Sequence, residues 1–160
     1  MNDTTQISQE IQRVSFFVPG DPIAKGRPRT RIIGHYAKIY TPKETVKWED
    51  HVRMIATEAY LKNGGKTWTD CPVRMDLTFY FRRPKSHTKK QAACPYCFCK
   101  PDRDNLEKSV SDALEGLFFK NDSQICAGEV VKYYMDGKYI VAKDQPGVLV
   151  ELTKIEGVKI

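Results

Sequence analysis

Between Val73 and Phe81 the odd positions Val73, Met75, Leu77, Phe79 and Phe81 alternate with Arg74, Asp76, Thr78 and Tyr80. A period of two sends successive side chains to opposite faces, so this segment predicts a strand with one face on a core. Such a strand cannot stand alone. Its apolar face needs a covering layer and its edges need partners.

The rest of the chain offers both. Val14–Val18 (VSFFV) reads as a first, buried strand, ended by the turn signal Pro19-Gly20-Asp21-Pro22. The AKGRPRTR segment that follows is rich in Gly, Pro and Arg and reads as a basic loop, with a short strand at Lys38–Tyr40. Thr41 as N-cap, Pro42 at the first helical position and Glu44 as capping-box partner then open a helix. Its apolar stripe runs through Trp48, Val52, Ile55, Ala56 and Ala59 to about Leu61, and Asn63-Gly64-Gly65 stops it. A second helix starts around Pro101-Asp102-Arg103-Asp104, with Leu106, Val110, Ala113, Leu114 and Leu117 as its stripe. Gly116 and the segment 118–122 mark its end. Gln124–Tyr134 and Gly147–Lys154 read as a strand pair joined by a hairpin or longer loop. There is no internal repeat. The order fits one small α+β or mixed α/β domain over 13–160, behind a polar, flexible tail at 1–12.

With 41% hydrophobic and 29% charged residues in 160, the composition is that of an ordinary globular domain with one core. No apolar run approaches the roughly 20 residues of a membrane span, and the N-terminus lacks the basic and hydrophobic segments of a signal peptide. A cytoplasmic location is therefore expected, where five cysteines argue poorly for disulfides.

The net charge of +6 is unevenly spread. Residues 22–41 hold Lys25, Arg27, Arg29, Arg31 and Lys38, and residues 82–100 hold Arg82, Arg83, Lys85, Lys89, Lys90 and Lys100, with no acid in either window. Outside them, acids exceed bases. Two basic segments on an acidic body suggest a polyanion surface, most simply nucleic acid; solvated loops are the plainer alternative.

Asp102 and Asp104 lie two apart at the start of the second helix. At about 100° per residue from Asp104, Lys108 falls near 40°, Asp112 near 80° and Asn105 near 100°, while the apolar residues cluster from about 180° to 280°. One helix face is thus polar and carries these four residues, and Asp122 arrives after the chain turns back. Hard divalent ions take oxygen ligands, and phosphodiester cleavage needs activated water and neutralised charge at phosphorus. Clustered aspartates flanked by bases suit both needs. The same Asp104–Lys108–Asp112 series also suits ordinary surface pairing at (i, i+4).

The stretch PDRDNLEKSVSDALEG…KNDSQI resembles the core motif of the RusA family of Holliday-junction resolvases: D-x-D-N-x-x-K, a helix ending in D-A-L, then D-[SA]-Q. PGDPIAKGRPRTR, YTPKETVKWEDHV and FRRPKSH are similar to the phage and prophage branch of that family, so the likeness reaches from about residue 14 to 135. It implies a RusA-like mixed sheet packed by two main helices. It also implies a Mg²⁺-dependent homodimer, with Mn²⁺ as a substitute, that cuts two opposed strands of a four-way DNA junction. Asp102, Asp104 and Asp122 match the family's metal-binding acids, Lys108 its functional lysine, and Asn105 the motif asparagine. Lys25, Arg27, Arg29, Arg31, Arg82, Arg83, Lys85, Lys89 and Lys90 are the expected DNA contacts. Asn121 departs from the pattern, since some members carry two consecutive acids there.

Cys94, Cys97 and Cys99, with His87 upstream, lie in the basic 82–100 loop. Three thiolates and an imidazole would make a tetrahedral Zn²⁺ site; free thiols in a loop are the alternative. Cys71 and Cys126 read as packed small residues, and Tyr36, Tyr40 and Phe98 as rings able to stack on bases, with Tyr40 and at least one other expected in the core. A non-catalytic module binding branched or single-stranded DNA remains the competing function.

Overall fold

The computed structural model describes residues 12–136 and 144–156, so the N-terminal tail expected at 1–12 falls almost wholly outside the described residues. In chain order the elements are β1 (Arg13–Pro19), β2 (Arg29–Ile33), β3 (Tyr36–Tyr40), α1 (Lys43–Lys62), β4 (Val73–Phe81), α2 (Lys89–Ala92) and α3 (Arg103–Leu114). A 3-10 turn (Asp122–Gln124), β5 (Ile125–Ala127), β6 (Val130–Tyr134) and β7 (Gly147–Lys154) complete it.

The strand with the alternating pattern is the organiser of a mixed sheet. β7 lies antiparallel to β4 and separates it from β1, while β5 and β6 run parallel to β4 along its other edge. Val73, Met75, Leu77 and Phe79 are each at most 1% exposed. Onto that face pack α1, through Trp48, Val52 and Ala56, and α3, through Leu106, Val110, Ala113 and Leu114. Burying a large aliphatic or aromatic side chain contributes about 1.5–3 kcal/mol, so this single layer of helices is where most of the fold's cohesion lies. The opposite sheet face carries the ion pairs Arg13–Glu151 and Arg74–Asp76. The domain is α+β with a mixed sheet, as expected.

Five local expectations give way to the tertiary structure. Gln124–Tyr134 is not one strand and does not pair with Gly147–Lys154. The chain breaks at Gly128 (φ 146°), where a Cβ would stand 1.9 Å from the carbonyl oxygen of Met75. The backbone passes so close to β4 there that only glycine fits, and β6 then continues along β4. Thr41 does not cap α1. A residue before proline is pushed towards extended backbone, and Pro42 itself (ψ 138°) occupies the N-cap with no side-chain capping bond.

The basic loop after Ala24 is in part a hairpin. β2 pairs antiparallel with β3 from Arg29↔Tyr40 to Ile33↔Tyr36, around a two-residue turn in which Gly34 has φ 62°. Every residue of this hairpin is exposed, so Tyr40 lies outside the core, as do Tyr36 and Phe98. Cys126 is also exposed, in contrast to the half-buried Cys71.

Candidate active site

α3 is held by its apolar stripe, which fixes what its other face presents. Asp102 is the N-cap, with extended backbone and a side chain that makes no capping bond; Asp104 is in the first turn and Lys108 one turn further on. The segment before Asp102 is anchored by Lys132 of β6, whose Nζ donates to the carbonyls of Cys99 and Pro101, each at 2.6 Å.

Asp122 is delivered by a tightly tied turn. The Gln124 side chain accepts from the N–H groups of Lys120 (2.8 Å) and Asn121 (3.1 Å) and donates to the carbonyls of Trp68 (3.0 Å) and Cys71 (2.9 Å). Asn121 caps the turn by accepting from the Ser123 N–H at 3.0 Å. Its amide is therefore spent on backbone geometry, at the position where a second acid would have added charge.

These two pieces meet at Lys108. Its Nζ lies 2.7 Å from Asp122 Oδ2 and 2.9 Å from Asp112 Oδ1. The other Asp112 oxygen is 2.9 Å from Lys25 Nζ, which also contacts Glu49 Oε1 at 2.6 Å. The result is an alternating chain, Glu49–Lys25–Asp112–Lys108–Asp122, that crosses from α1 to the turn after α3. The hydrogen bonds that the Lys108 ammonium donates to Asp122 and Asp112 hold it well above its ordinary pKa. Burial works against the charged form of Asp112, but hydrogen bonds from Lys25 and Lys108 outweigh it and keep the carboxyl below its ordinary pKa. Burial opposes the charge of Lys25 too, and its carboxylate partners again prevail, raising its pKa.

Asp104, Lys108 and Asp122 line one shallow cleft of about 210 Å³, together with Glu107, Ser111 and Ile125. A neighbouring cleft of about 270 Å³ shares Glu107 and Ile125 and adds Arg103 and residues 126–128. Asp102 lies on the exposed end of the helix, outside the lining of both.

Among the described residues, no three His, Cys, Asp or Glu side chains form a group that could hold a metal. Magnesium is commonly held by one or two carboxylates, with water and substrate phosphate completing its shell, so a cleft with Asp104 and Asp122 on its walls suits that ion without a prebuilt cage. The cysteine loop has no such fit. His87 stacks on Phe98 and meets Tyr134 edge-on, and Arg83 lies 4.1 Å above the Tyr134 ring. Cys94 Sγ turns to the Tyr96 carbonyl, Cys97 Sγ to that of Cys99, and Cys99 Sγ accepts from the Tyr134 hydroxyl. Among the described residues the expected zinc quartet does not form, and His87 packs in an aromatic cluster with Phe98 and Tyr134.

The basic residues divide by role. Arg27, Arg29, Arg31, Lys85, Lys89 and Lys90 are exposed. Lys25 is internal to the charge chain. Arg83 bonds to Asp136 and to the carbonyls of Gln91 and Cys94, and Arg82 reaches Asp21 at 3.4 Å. Residues that sequence reasoning missed are Glu49, Glu107, Ser111 and Lys132. Glu107 had a legible signal, since it falls one residue before Lys108 on the flank of the polar face. Glu49 and Lys132 had none, because their partners are distant in sequence.

A family profile described as "Endodeoxyribonuclease RusA" matches residues 19–152. A curated protein of Bacillus subtilis (strain 168), named "Uncharacterized protein YqaN", is 33% identical over 130 residues, covering 77% of this chain and 89% of its own length.

Proposed function

Because the chain belongs to the RusA endodeoxyribonuclease family, we propose that it is a divalent-metal-dependent nuclease that resolves four-way DNA junctions by paired phosphodiester cleavage. The observation that carries this reading is the Lys108 ammonium held between Asp112 and Asp122 in a cleft that Asp104 also lines.

Asp104 and Asp122 would hold the ion, with Asp102 at the exposed helix start as a third carboxylate for it. A bound Mg²⁺ supplies charge neutralisation at the phosphoryl group and a water of lowered pKa. The chain's own residues do the rest. An ammonium has three N–H donors; Asp112 and Asp122 take two, and the third is free for a phosphate oxygen. Were Asp122 engaged by a cation, Asp112 would still anchor Lys108 and keep its ammonium aimed into the cleft. Asn105 accompanies Asp104 on the polar face, and its backbone carbonyl accepts from the Lys25 N–H at 2.8 Å. The exposed bases bind phosphates without reading sequence, which suits recognition of branch shape. Cutting two opposed strands calls for two such sites, hence a homodimer. The setting is cytoplasmic, consistent with five free cysteines.

The test is cleavage of a synthetic four-way junction beside a linear duplex, with Mg²⁺ or Mn²⁺ and with chelator. Paired nicks in the junction only, abolished by chelator, are expected. Junction binding with no metal-dependent cutting would make the protein a binding module instead.

A further inference from the structure

The β2–β3 hairpin has two unlike faces. Cross-strand partners in an antiparallel pair share a face. The register therefore puts Arg29, Arg31 and Ile33 with Tyr40, Lys38 and Tyr36 on one side, and Thr30 and Ile32 with Ile39 and Ala37 on the other. All three charges, all of them positive, lie on the first side together with both tyrosines. Tyr36 is 81% exposed and Tyr40 40%. Arg29, Arg31, Ile33, Lys38 and Tyr40 of this face line a groove of about 570 Å³ closed on its far side by the start of α1, where Glu44 is the one acid, and Tyr36 stands beyond it near the hairpin turn.

The hairpin is rooted beside the candidate active site. Ile23 accepts from Ser109 of α3 at 2.9 Å, the Lys25 N–H donates to Asn105, and the Gly26 N–H donates to Thr45 Oγ1 at 3.2 Å. A Cβ at Gly26 would stand 2.8 Å from Pro42, so the segment leading into β2 is seated directly on the α1 start. A two-stranded ribbon with no buried face has little intrinsic stability, and on this face Tyr36 and Tyr40 flank Lys38 on β3 opposite Ile33, Arg31 and Arg29 of β2, which gives it no core to compensate. Cations spaced along a strand with aromatic rings between them are what single-stranded nucleic acid binds: phosphates pair with the charges and bases stack on the rings.

We propose that the Arg29–Arg31–Lys38 face of the hairpin is a docking surface for an unpaired strand of the branched DNA, with Tyr36 and Tyr40 as its base-stacking rings. This deepens the nuclease reading and rests on it for the identity of the polyanion. It assigns the hairpin a part in telling an open branch from intact duplex, whose bases are not available to stack.

The test is fluorescence anisotropy on a labelled single strand, a linear duplex and a four-way junction, in chelator so that nothing is cut. The variants are Tyr36→Ala/Tyr40→Ala, Tyr36→Phe/Tyr40→Phe and Arg29→Gln/Arg31→Gln/Lys38→Gln, with Ile32→Thr/Ile39→Thr on the opposite face. The alanine pair is expected to weaken single-strand binding by about tenfold or more while moving duplex binding by less than about twofold. The phenylalanine pair should bind as the parent does. The charge variant should flatten the single-strand salt dependence by about two units of slope. Equal losses on single strand and duplex, or no loss for the alanine pair, would overturn the proposal. Should the alanine pair fail to fold, a charge variant with an unchanged salt slope would overturn it equally. Cleavage separates the two readings. A protein that stacks unpaired DNA on these rings and cuts no junction loses the nuclease reading alone, and one that resolves junctions without needing the rings loses the hairpin proposal alone.

Discussion

Lys108 and Asp122 are joined by a 2.7 Å ion pair that ties the middle of α3 to the turn after it. On the proposed reading, the lysine engages the carboxylate that a divalent cation would bind. Asp112 holds the same ammonium from the other side at 2.9 Å, so Lys108 can release Asp122 without losing its place.

Lys108→Ala should separate chemistry from stability. The Lys108 side chain is 50% exposed, and pairs that water screens contribute about 0–1 kcal/mol. Thermal melting should therefore change little. If the ammonium steadies charge on the phosphate under attack, single-turnover cleavage should slow by more than about tenfold. A variant that melts normally and cuts at the parent rate would remove Lys108 from the chemistry.

The same variant should bind metal more tightly. Taking away the competing ammonium frees Asp122, so calorimetric titration with Mn²⁺ in the absence of DNA should give a lower Kd for Lys108→Ala than for the parent. An unchanged or higher Kd would mean that Lys108 and the ion do not share that carboxylate.

Asp112 links stability to acid. Its folded pKa lies below the ordinary 3.8. The stabilisation is therefore present above that pH and is lost as pH falls through the folded value, below about pH 4. Asp76 and Asp136 are also depressed, by hydrogen bonds and charge from Arg74 and Arg83 that outweigh burial. Asp112→Asn should lower stability at neutral pH and reduce the further loss below about pH 4, but not abolish it, because those two carboxylates remain. A pH–stability curve parallel to the parent's would contradict this.

Gln124 should matter more for stability than any acid of the cleft. Its four hydrogen bonds to backbone groups tie the Asp122 turn to the segment before β4. At about 0.5–1.5 kcal/mol net for each bond, Gln124→Ala should cost about 2–6 kcal/mol by urea denaturation. Gln124→Glu keeps the two accepted bonds and should fall between. Loss of less than about 0.5 kcal/mol for the alanine variant would show that the turn holds without its clasp.

The parts legible in the sequence are those whose signal is periodic. The Val73–Phe81 alternation and the stripe from Leu106 to Leu114 gave the central strand and the helix beneath it, because each pattern reports directly on one buried face. The same arithmetic placed Asp104, Lys108 and Asp112 together on the polar side of α3. What was hidden depends on contacts that periodicity does not encode. The β2–β3 hairpin buries neither face, so Arg29 and Arg31 read as loop and only Lys38–Tyr40 reads as strand. The position of β7 between β1 and β4 is a matter of pairing order, which the apolar pattern of Gly147–Lys154 leaves open. Glu49 reaches Lys25 only after α1 has packed on α3. The cysteine loop misled in the opposite direction, since C-x-x-C-x-C spacing is metal-like while Phe98 and Tyr134 supply the packing that His87 takes up instead.

The most direct test of the candidate active site is single-turnover cleavage of a four-way junction in Mg²⁺ by the parent protein, Asp104→Asn and Asp122→Asn, with junction binding measured alongside. The parent should nick opposed strands in pairs, and each variant should bind the junction while cutting at least about a hundredfold more slowly. Cleavage by both variants at the parent rate would contradict the assignment of this cleft as the seat of phosphodiester hydrolysis.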